Sequence, residues 1–385
     1  MIISVISDTH LGFASGTERA EDSFQGFEQA LEKSMDSDII LLAGDVFDTK
    51  VPTTEVMAKT MALLIKPLVK QNPTKIVDSL EKDMTHVLPI TDRGIPVVAL
   101  HGNHERRTRD SLNPVQALEK TGFLVHLNAN GIILEKDGEM VCVQGLSAIP
   151  ENYFESSLGE WDPKPKEGCF NILMLHQLFS PLTYSKLHVN MLPKGFDLYI
   201  SGDLHEKKSI KHEGSTLLVP GSTVATQITK ESVNRRGFWR IDTKGGTEFV
   251  ELDSRPVHYL EDEIKSSDEL DKKLSELVHG ETKPVIRVNI TDGFSESEIR
   301  KKYEDKAIII FRKERQQTDT KNIEVHKLSV KETGRKILSD NIKEAGLNEK
   351  IFQEIFEILL ENRVDDAINM LVKSDELNTR LNPSR

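Results

Sequence analysis

Short apolar runs that alternate with amphipathic stretches mark the first part of this chain. Residues 1–7, 38–43 and 96–100 are nearly continuous apolar runs, which is typical of strands covered on both faces. Residues 17–35 and 53–90, between these runs, are predicted to be helical, the second with a break near Asn72-Pro73. Strands that alternate with helices predict a sandwich with a mixed or parallel sheet core.

The spacing changes near residue 131, where short strands begin to follow one another. Their predicted ranges are 131–135, 140–146, 171–175, 197–201, 207–212, 216–219, 237–242 and 247–252. A first domain is predicted to end near residue 255, and residues 256–330 predict a small α+β unit. Its predicted elements are helices at 267–278 and 295–303 and strands at 285–291, 306–311 and 322–328.

Residues 331–385 are predicted to be helical, with two apolar faces. The first face consists of Ile351, Phe352, Ile355, Phe356, Leu359 and Leu360, and the second of Val364, Ala367, Ile368, Leu371 and Val372. A helical hairpin this apolar either packs on its own domain or docks a partner. The same two alternatives, core or interface, apply to an earlier stripe at helical spacing, formed by Met57, Met61, Leu64 and Leu68.

Length and composition fit a soluble globular protein with one large domain and one or two smaller ones. The chain has 385 residues, of which 37% are hydrophobic and 29% charged. It has no apolar stretch of about 18 residues, so no membrane span is predicted, and its start lacks the features of a signal peptide. Cys142 and Cys169 lie in apolar runs, which predicts buried free thiols and a cytoplasmic protein.

The net charge of −12 at pH 7 argues only weakly against nucleic acid as a partner. DNA binding relies on Lys and Arg side chains that neutralise phosphates. A local basic patch is enough for that purpose, and a metal site itself requires carboxylates. Net charge therefore does not decide the partner.

Metal-ligand side chains follow several predicted strands at the point where each strand ends. Side chains two residues apart on a strand project from the same face, so both members of an Asp-x-His pair can reach one ion. A single Asp can also bridge two ions through its two oxygens. The motifs are Asp8-Thr9-His10, Gly44-Asp45, Gly102-Asn103-His104-Glu105, His176 and Gly202-Asp203-Leu204-His205.

This mixture of imidazole, carboxylate and amide ligands suits Mn²⁺ or Fe²⁺. Zn²⁺ is an alternative, whereas Ca²⁺ and Mg²⁺ favour more oxygen donors. Two ions a few ångströms apart can bind a shared water, lower its pKa and hold phosphate oxygens. The motifs therefore predict a two-metal site for attack on a phosphate ester.

The alternative is that these are ordinary loop residues after strands. An Asp-x-His or a Gly-Asp pair is common by chance, but all five motifs in this order, each after a predicted strand, favour the metal centre. The other histidines are expected to be structural or surface residues. His101 is expected to point away from the site because neighbours alternate along a strand.

The motifs resemble those of the calcineurin-like metallophosphoesterase superfamily and, within it, the Mre-eleven/SbcD family of double-strand-break repair nucleases. Further matching segments are Leu11-Gly12-Phe13, Glu18-Arg19-Ala20-Glu21-Asp22, Leu192-Pro193-Lys194-Gly195-Phe196-Asp197, Pro220-Gly221-Ser222-Thr223 and Arg236-Gly237-Phe238. The resemblance implies an α/β fold, a four-layer sandwich with a capping domain and a C-terminal helical segment. The implied domains are a nuclease domain at 1–255, a DNA-binding capping domain at 256–330, matched by layout only, and an ATPase-binding segment at 331–385.

The resemblance also implies roles for the motif residues. His104 is implied to contact the scissile phosphate and to assist departure of the leaving oxygen, without binding metal. The implied activity is Mn²⁺-dependent 3′-to-5′ exonuclease and single-strand endonuclease cleavage of DNA, with two Mn²⁺ per subunit. One ion is implied to be held by Asp8, His10, Asp45 and His205, and the other by Asp45, Asn103, His176 and position 203.

The sequence departs from the family pattern in two places. Asp203 stands where the family has His, and because a carboxylate is a competent Mn²⁺ ligand, the second ion is expected to be retained with altered affinity or metal preference. The stretch between Asp45 and Asn103 is longer than is usual in the family. Residues 67–94 are expected to form an extra helix or loop away from the site.

Partner surfaces are also implied. Arg106, Arg107 and Arg109 follow the Gly-Asn-His-Glu motif and are candidates to hold DNA phosphates, a solvated charged loop being the alternative. Arg19, in the first matching loop, is a further candidate. The resemblance implies a homodimer, and a C-terminal segment that binds the coiled-coil ATPase Rad-fifty.

Two other functions compete with a repair nuclease. One is a phosphodiesterase or phosphatase of the same superfamily that acts on small molecules. The other is a scaffold that binds DNA ends with weakened catalysis, which Asp203 keeps open. The Arg-rich loop, the added unit and the helical tail favour the nuclease.

Overall fold

The structure is a computed structural model that describes residues 1–313, except 88, 109, 110, 234, 265, 281 and 291–295, together with Glu354 and Met370. Residues 1–314 form one compact unit and residues 315–385 a second. The predicted strand 322–328 and the helical segment 331–385, apart from helical Glu354 and Met370, lie outside the described residues.

The strands and helices are numbered in chain order. The strands are β1 (Ile2–Ile6), β2 (Ile39–Leu42), β3 (Lys75–Leu80), β4 (Val97–Ala99), β5 (Val125–His126), β6 (Asn130–Lys136), β7 (Glu139–Leu146), β8 (Phe170–His176), β9 (Leu198–Gly202), β10 (Lys208–His212), β11 (Ser215–Val219), β12 (Gly237–Asp242), β13 (Thr247–Glu251), β14 (Val257–Ile264), β15 (Val285–Ile290) and β16 (Ile308–Lys313). The α-helices are α1 (Asp22–Lys33), α2 (Thr54–Val69), α3 (Pro114–Lys120), α4 (Glu151–Trp161), α5 (Ser267–Ser275) and α6 (Glu296–Tyr303).

Two large mixed sheets contain most of these strands. In the described part of the chain, the first sheet has the order β13-β12-β1-β2-β4-β5 and the second β10-β11-β9-β8-β7-β6-β3. β1, β2, β4 and β5 run parallel in the first sheet, with β5 at its edge. β7, β8, β9 and β11 run parallel in the second.

The two sheets pack face to face through the apolar side chains of their strands. Val5 of the first sheet and Ile172 of the second are fully buried in this shared core. Helices α1, α2 and α3 cover the outer face of the first sheet, where Phe27 is fully buried. Helix α4 covers the outer face of the second through Phe154. These helix, sheet, sheet and helix layers confirm the predicted four-layer α/β sandwich.

The prediction of helix in residues 53–90, with a break near Asn72-Pro73, was wrong after the break. Helix α2 ends at Val69, and β3 then pairs antiparallel with β6 at an edge of the second sheet. Pro73 disfavours helix at the residue before it, and the side chain of Asn72 closes a turn by accepting from the N–H of Thr74 at 2.8 Å. Residues 67–94 therefore contain an edge strand where an extra helix or loop was expected, because a short apolar run does not distinguish strand from helix by spacing.

The strands β14, β15 and β16 form a third, parallel sheet that α5 and α6 cover. β14 was not predicted. This sheet packs against the larger sandwich through Val285, which is fully buried against Ala225 and Ile228. Arg255 braces the junction by donating to the carboxylate of Asp22 and to the carbonyl oxygen of Lys283.

No helix in the described part of the chain combines the length and apolar character needed to cross a membrane. Both cysteines are free, as predicted, but only Cys142 is buried, because Cys169 lies just before β8 and is partly exposed.

Candidate metal centre

The predicted ligand residues lie where strands of both large sheets end. β1, β2 and β4 are parallel neighbours in one sheet, and β8 and β9 are parallel neighbours in the other. Their carboxyl ends meet at one edge of the sandwich, as in other α/β sites. Asp8 and His10 follow β1, Asp45 follows β2, Asn103 and His104 follow β4, His176 ends β8, and Asp203 and His205 follow β9.

Four of these residues have a left-handed backbone, which few residues with a side chain adopt. The φ angle is +51° at Asp8, +44° at His10, +46° at Asp45 and +79° at Asp203. Asp and His are among the residue types that tolerate this conformation best. Neighbouring loops support it, since the N–H of His10 donates to the carbonyl oxygen of Asp45 at 3.0 Å. Strain of this kind gathers at functional sites.

Two glycines give the ligands room. A Cβ atom on Gly102 would lie 1.9 Å from Oδ1 of Asp45. A Cβ atom on Gly44, whose φ is +97°, would lie 2.2 Å from Nδ1 of His176. Both distances are far shorter than a side chain allows, so the motifs require Gly at these positions.

Asp8, His10 and His205 form one group of facing ligand atoms. Nε2 of His10 lies 3.0 Å from Nε2 of His205. Nε2 of His205 lies 3.8 Å from Oδ1 of Asp8, and Nε2 of His10 lies 3.9 Å from Oδ2 of Asp45. Asp45 thus adjoins this group while it also belongs to a second one.

The second group forms around His176. Its Nε2 lies 3.5 Å from Oδ2 of Asp45 and 3.8 Å from Oδ1 of Asp203. This nitrogen is buried and has no hydrogen-bond partner among the described residues. A buried nitrogen that faces two carboxylates without donating to either fits a cation held between them.

Two of the three imidazoles, those of His176 and His205, are anchored by a hydrogen bond at their other nitrogen, Nδ1. A metal-ligating Nε2 requires the proton on Nδ1, and a partner for that proton fixes the orientation of the ring. Nδ1 of His176 lies 2.7 Å from the carbonyl oxygen of Ala43, and Nδ1 of His205 lies 3.0 Å from Oγ1 of Thr226. Nδ1 of His10 lies 3.2 Å from Oδ1 of Asp48, an ion-pair distance without a hydrogen bond among the described residues. With Nδ1 of each ring directed at these groups, Nε2 of all three faces the centre.

The electrostatics of the centre favour added positive charge. Burial raises the pKa of Asp8 to about 6. Burial alone lowers the pKa of His176, but the carboxylates of Asp45, Asp8 and Asp203 outweigh it and raise that pKa to about 10. The raised pKa values of Asp8 and His176 show that this cluster of carboxylates favours an added positive charge. A divalent cation supplies the same compensating charge, so these residues fit the metal that the motifs predict.

Asp203 and Asn103 complete the predicted ligand set. The N–H of Asp203 donates to Oδ1 of Asp8 at 3.2 Å, and burial raises the pKa of the Asp203 carboxyl. Asn103 is exposed, and its Oδ1 accepts from the N–H of His104 at 3.1 Å. Asn103 lines the same cleft as Asp203 and Asp45.

His104 is held at the border of the centre. Its Nδ1 lies 2.9 Å from the carbonyl oxygen of Asp48, and its backbone N–H donates to Oδ1 of Asp45 at 3.0 Å. Its side chain is 41% exposed and lines the cleft. With Nδ1 directed at a carbonyl oxygen, Nε2 is the atom that can meet a substrate.

Glu105 joins two of the ligand loops. Its buried carboxylate accepts from the N–H of Phe47 at 2.6 Å and from the N–H of Gly102 at 2.7 Å. Burial raises the pKa of Glu105 to about 8, with Asp45 adding to the shift. This side chain fixes the loop that contains Asp45 relative to the loop that contains Asn103.

A cleft of about 510 Å³ opens over the centre. Its volume is within the range of ordinary ligand sites. Besides the metal-site residues, its walls include Leu178, Thr183, Lys208, Thr226 and Arg236.

The arginines predicted to bind DNA have different environments. Arg19 is only 8% exposed, and its guanidinium donates to Asp22 and to the carbonyl oxygen of Ala225. The structure therefore does not present it to DNA. Arg106 is half-buried and Arg107 is exposed. Arg109 lies outside the described residues.

Three residues of the centre received no role in the sequence analysis: Asp48, Glu105 and Thr226. Asp48 follows Asp45 by three positions, and Glu105 ends the Gly-Asn-His-Glu motif, so both offered a signal close to a predicted ligand. Thr226 offered none, because only the fold brings it to His205.

Comparisons with known proteins agree with this geometry. A family model described as calcineurin-like phosphoesterase matches residues 1–207. The double-strand break repair protein MRE11 of Oryza sativa subsp. indica is 25% identical, over 97% of this chain and 64% of its own length.

Two further relatives carry similar names. The double-strand break repair protein MRE11 of Encephalitozoon cuniculi is 26% identical, over 73% of this chain and 52% of its own length. The DNA double-strand break repair protein Mre11 of Methanopyrus kandleri is 27% identical, over 68% of this chain and 59% of its own length. These matches confirm the resemblance that the motifs indicated, although the chain spans less than two thirds of each relative.

Proposed function

The chain belongs to the calcineurin-like phosphoesterase family of metal-dependent enzymes, and from that premise we propose that it is a Mn²⁺-dependent DNA nuclease of double-strand-break repair. The proposed activities are 3′-to-5′ exonuclease and single-strand endonuclease cleavage of phosphodiester bonds. The observation that supports this most strongly is the convergence of imidazole and carboxylate ligands from two sheets beneath one open cleft.

Two Mn²⁺ ions per subunit are part of the proposal. Asp8, His10, Asp45 and His205 would hold one ion, and Asp45, Asn103, His176 and Asp203 the other. When bound, the ions supply Lewis acidity for attack of water on phosphorus. The chain's own contribution is to fix the ligands, since Ala43 and Thr226 hold the rings of His176 and His205 by hydrogen bonds and the carboxylate of Asp48 lies 3.2 Å from Nδ1 of His10.

His104 has a separate role in the proposed reaction. Water adds to phosphorus, the bond from phosphorus to the leaving oxygen breaks, and that oxygen takes up a proton. Nδ1–H of His104 donates to the carbonyl oxygen of Asp48, so Nε2 is the nitrogen left for the substrate, and in the imidazolium form its N–H can donate a proton or a hydrogen bond to the departing oxygen. Its exposure leaves it accessible to a substrate in the cleft.

DNA is the proposed substrate. The relatives are named as double-strand break repair proteins. Arg106 and Arg107 directly follow His104 and Glu105 and can reach phosphates on either side of the scissile bond. Lys208 and Arg236 add positive charge to the walls of the cleft.

The proposed assembly follows the family. Residues 256–330 would form a capping domain that binds DNA, and residues 331–385 would bind a Rad-fifty type ATPase. A homodimer would form through the first domain. Helix α2 supports this proposal, because it buries Leu64 in the core and exposes a stripe on another face. The stripe consists of Ala58, Ala62, Ile65 and Val69.

The test is cleavage of end-labelled DNA with a free 3′ end, with and without Mn²⁺. We expect wild type to degrade it, and His104→Ala to lose about 100-fold or more of the rate while it still binds Mn²⁺. Hydrolysis of small phosphodiesters alone would indicate a small-molecule phosphodiesterase. DNA binding without cleavage would indicate an end-binding scaffold.

A further inference from the structure

The segment after β11 connects the candidate metal centre with the third sheet. Thr226, in this segment, places Oγ1 3.0 Å from Nδ1 of His205. Nε2 of the same ring lies 3.0 Å from Nε2 of His10. Because Nε2 must keep its lone pair to bind an ion, the proton is on Nδ1, which donates to Thr226.

The chain on both sides of Thr226 is anchored to the third sheet. Ala225 and Ile228 are 7% and 6% exposed and pack on Val285 of β15. The carbonyl oxygen of Ile228 accepts from a guanidinium N–H of Arg287, also in β15, at 2.8 Å.

The residues that face Nδ1 of His176 and of His10 differ from Thr226 in their place in the fold. Ala43, whose carbonyl oxygen lies 2.7 Å from Nδ1 of His176, directly follows β2, and Asp48, whose carboxylate lies 3.2 Å from Nδ1 of His10, is in the loop after it. Both residues belong to the large sandwich. Only Thr226 lies in a segment whose described packing partners include the third sheet. The side chain of His205 is also 29% exposed, so the ring has room to rotate if its anchor is lost.

We propose that Thr226 is a positioning residue for His205, and that the third sheet, through β15, holds Thr226 in place. This inference rests on the proposed metal-dependent function. It means that the small sheet contributes to metal affinity although it supplies no ligand. A displacement of β15 relative to the sandwich would be transmitted to one ligand of one ion.

The first experiment compares Thr226→Val, which keeps the shape but removes the hydroxyl, with Thr226→Ser, which keeps the hydroxyl. Mn²⁺ binding is measured on the full chain without DNA by electron paramagnetic resonance. We expect Thr226→Val to weaken the affinity for one ion by about tenfold to 100-fold, and Thr226→Ser to bind nearly as wild type does.

A measurement on metal-free protein separates positioning from a general structural effect. Nitrogen-15 spectra of the histidine rings report which nitrogen carries the proton. We expect the Nδ1–H form of His205 to dominate in wild type and Thr226→Ser, and to lose its dominance in Thr226→Val, while the ring of His176 is unchanged.

The link to the third sheet has a matched pair of variants. Arg287→Met removes the donor to the carbonyl oxygen of Ile228. Arg300→Met removes a similar guanidinium in α6, which donates to the carbonyl oxygen of Ile309 in β16 and so stays within the third sheet and its helices. We expect Arg287→Met to weaken Mn²⁺ binding by about threefold to tenfold, the effect of one lost hydrogen bond. Arg300→Met should leave it unchanged.

The outcomes are distinguishable. Wild-type affinity in Thr226→Val, with an unchanged His205 ring, would overturn the positioning role. Equal effects of Arg287→Met and Arg300→Met would overturn the link to the third sheet. Failure of wild type to bind Mn²⁺ would overturn the proposed function itself.

Discussion

Asp203 changes the chemical character of one half of the candidate centre. Its carboxylate would give the second ion three oxygen ligands, from Asp45, Asn103 and Asp203, and one nitrogen, from His176. A His at position 203 would give the second ion two oxygen ligands and two nitrogen ligands. Oxygen-rich sites favour harder ions such as Mg²⁺ and Mn²⁺ over softer ones. The substitution is therefore expected to shift metal preference and to leave the site able to bind.

We predict that Asp203→His lowers Mg²⁺ affinity more than Mn²⁺ affinity, by about tenfold in the ratio. His tolerates the left-handed backbone found here (φ +79°), so the loop should keep its conformation. Calorimetric titration with each metal measures the ratio. Asp203→Asn, which keeps an oxygen but removes the charge, is the control and should weaken both metals together. An unchanged ratio in the His variant would contradict the prediction.

His126 gives the fold a sensitivity to acid that is separate from the metal. Its ring contacts His101, with Nε2 2.9 Å from Nδ1 of that residue. Burial, followed by His101 and Lys82, holds the pKa of His126 well below its ordinary value of 6.5. Below pH 6.5 the unfolded chain therefore takes up a proton that the folded protein does not. The folded state loses stability as the pH falls through that range.

We predict that His126→Gln flattens the fall in unfolding free energy between pH 6.5 and 5. The wild-type slope from this one group is up to about 1.4 kcal/mol per pH unit. Urea unfolding at several pH values, with EDTA throughout, measures it. The exposed His188→Gln should retain the wild-type slope. Parallel curves for wild type and His126→Gln would show that another group is responsible.

At the scale of elements, the loops after the strands decide whether ligands from different strands can meet. Gly102 illustrates this, because a Cβ atom there would meet both Oδ1 and the backbone nitrogen of Asp45. The loop after β4 and the loop after β2 are in direct contact at this point. A methyl group would push them apart.

We predict that Gly102→Ala loses about 100-fold in catalytic rate, the usual effect of a ligand displaced by about 1 Å. Mn²⁺ affinity should fall with it, whereas circular dichroism should show a folded protein. Gly159→Ala is the control, since it lies in α4 with no atom within 4 Å of the added Cβ. The control should keep activity and gain slightly in stability. Full activity of Gly102→Ala would show that the loops can adjust.

The sequence predicted the elements whose pattern is local and missed those whose place depends on the fold. The apolar runs of β1, β2 and β4 and the strands from β6 to β13 were predicted to within a few residues, because their side chains are apolar or alternate along the strand. β3 is instead an edge strand with exposed Val77, so its pattern is weak. The predicted ligands lie together because each lies at or just after the carboxyl end of a strand, and these ends meet at one edge of the sandwich.

The residues that contact the ligands without binding metal themselves were harder to predict, because only the fold brings them to the ligands. Thr226 and His205 are 21 positions apart and meet only because the segment after β11 returns to the centre. Arg19 looked available to DNA, but its guanidinium is used to hold Ala225. Neither environment follows from spacing along the chain.

At the scale of the whole molecule, the stripe along α2 offers a surface for a second copy. Leu64 is fully buried, and Met57 and Met61 pack partly on the same core, which favours the core alternative for those residues. Ile65 and Val69 are 45% and 71% exposed on the other side of the helix. We expect these two side chains to lie in the proposed dimer interface.

We predict that Ile65→Glu combined with Val69→Glu converts a dimer into a monomer, because two buried charges cannot be paired across the interface. Light scattering after size-exclusion chromatography measures the mass. Val77→Glu places a charge on another exposed apolar side chain, on β3, and should leave the mass unchanged. A dimeric double variant would locate the interface elsewhere.

Because the ligands come from two separate sheets, a bound ion would link the sheets to each other as well as serve as a cofactor. His10 and His205 are 195 positions apart, and the unfolded chain has no means of bringing them together. An ion that binds only the native protein stabilises it by thermodynamic linkage, about 2.7 kcal/mol when its free concentration is 100 times its dissociation constant. Chelation of the ion should therefore weaken the packing between the two sheets as well as stop catalysis. The melting temperature should rise with Mn²⁺ concentration and so report the occupancy of the metal centre.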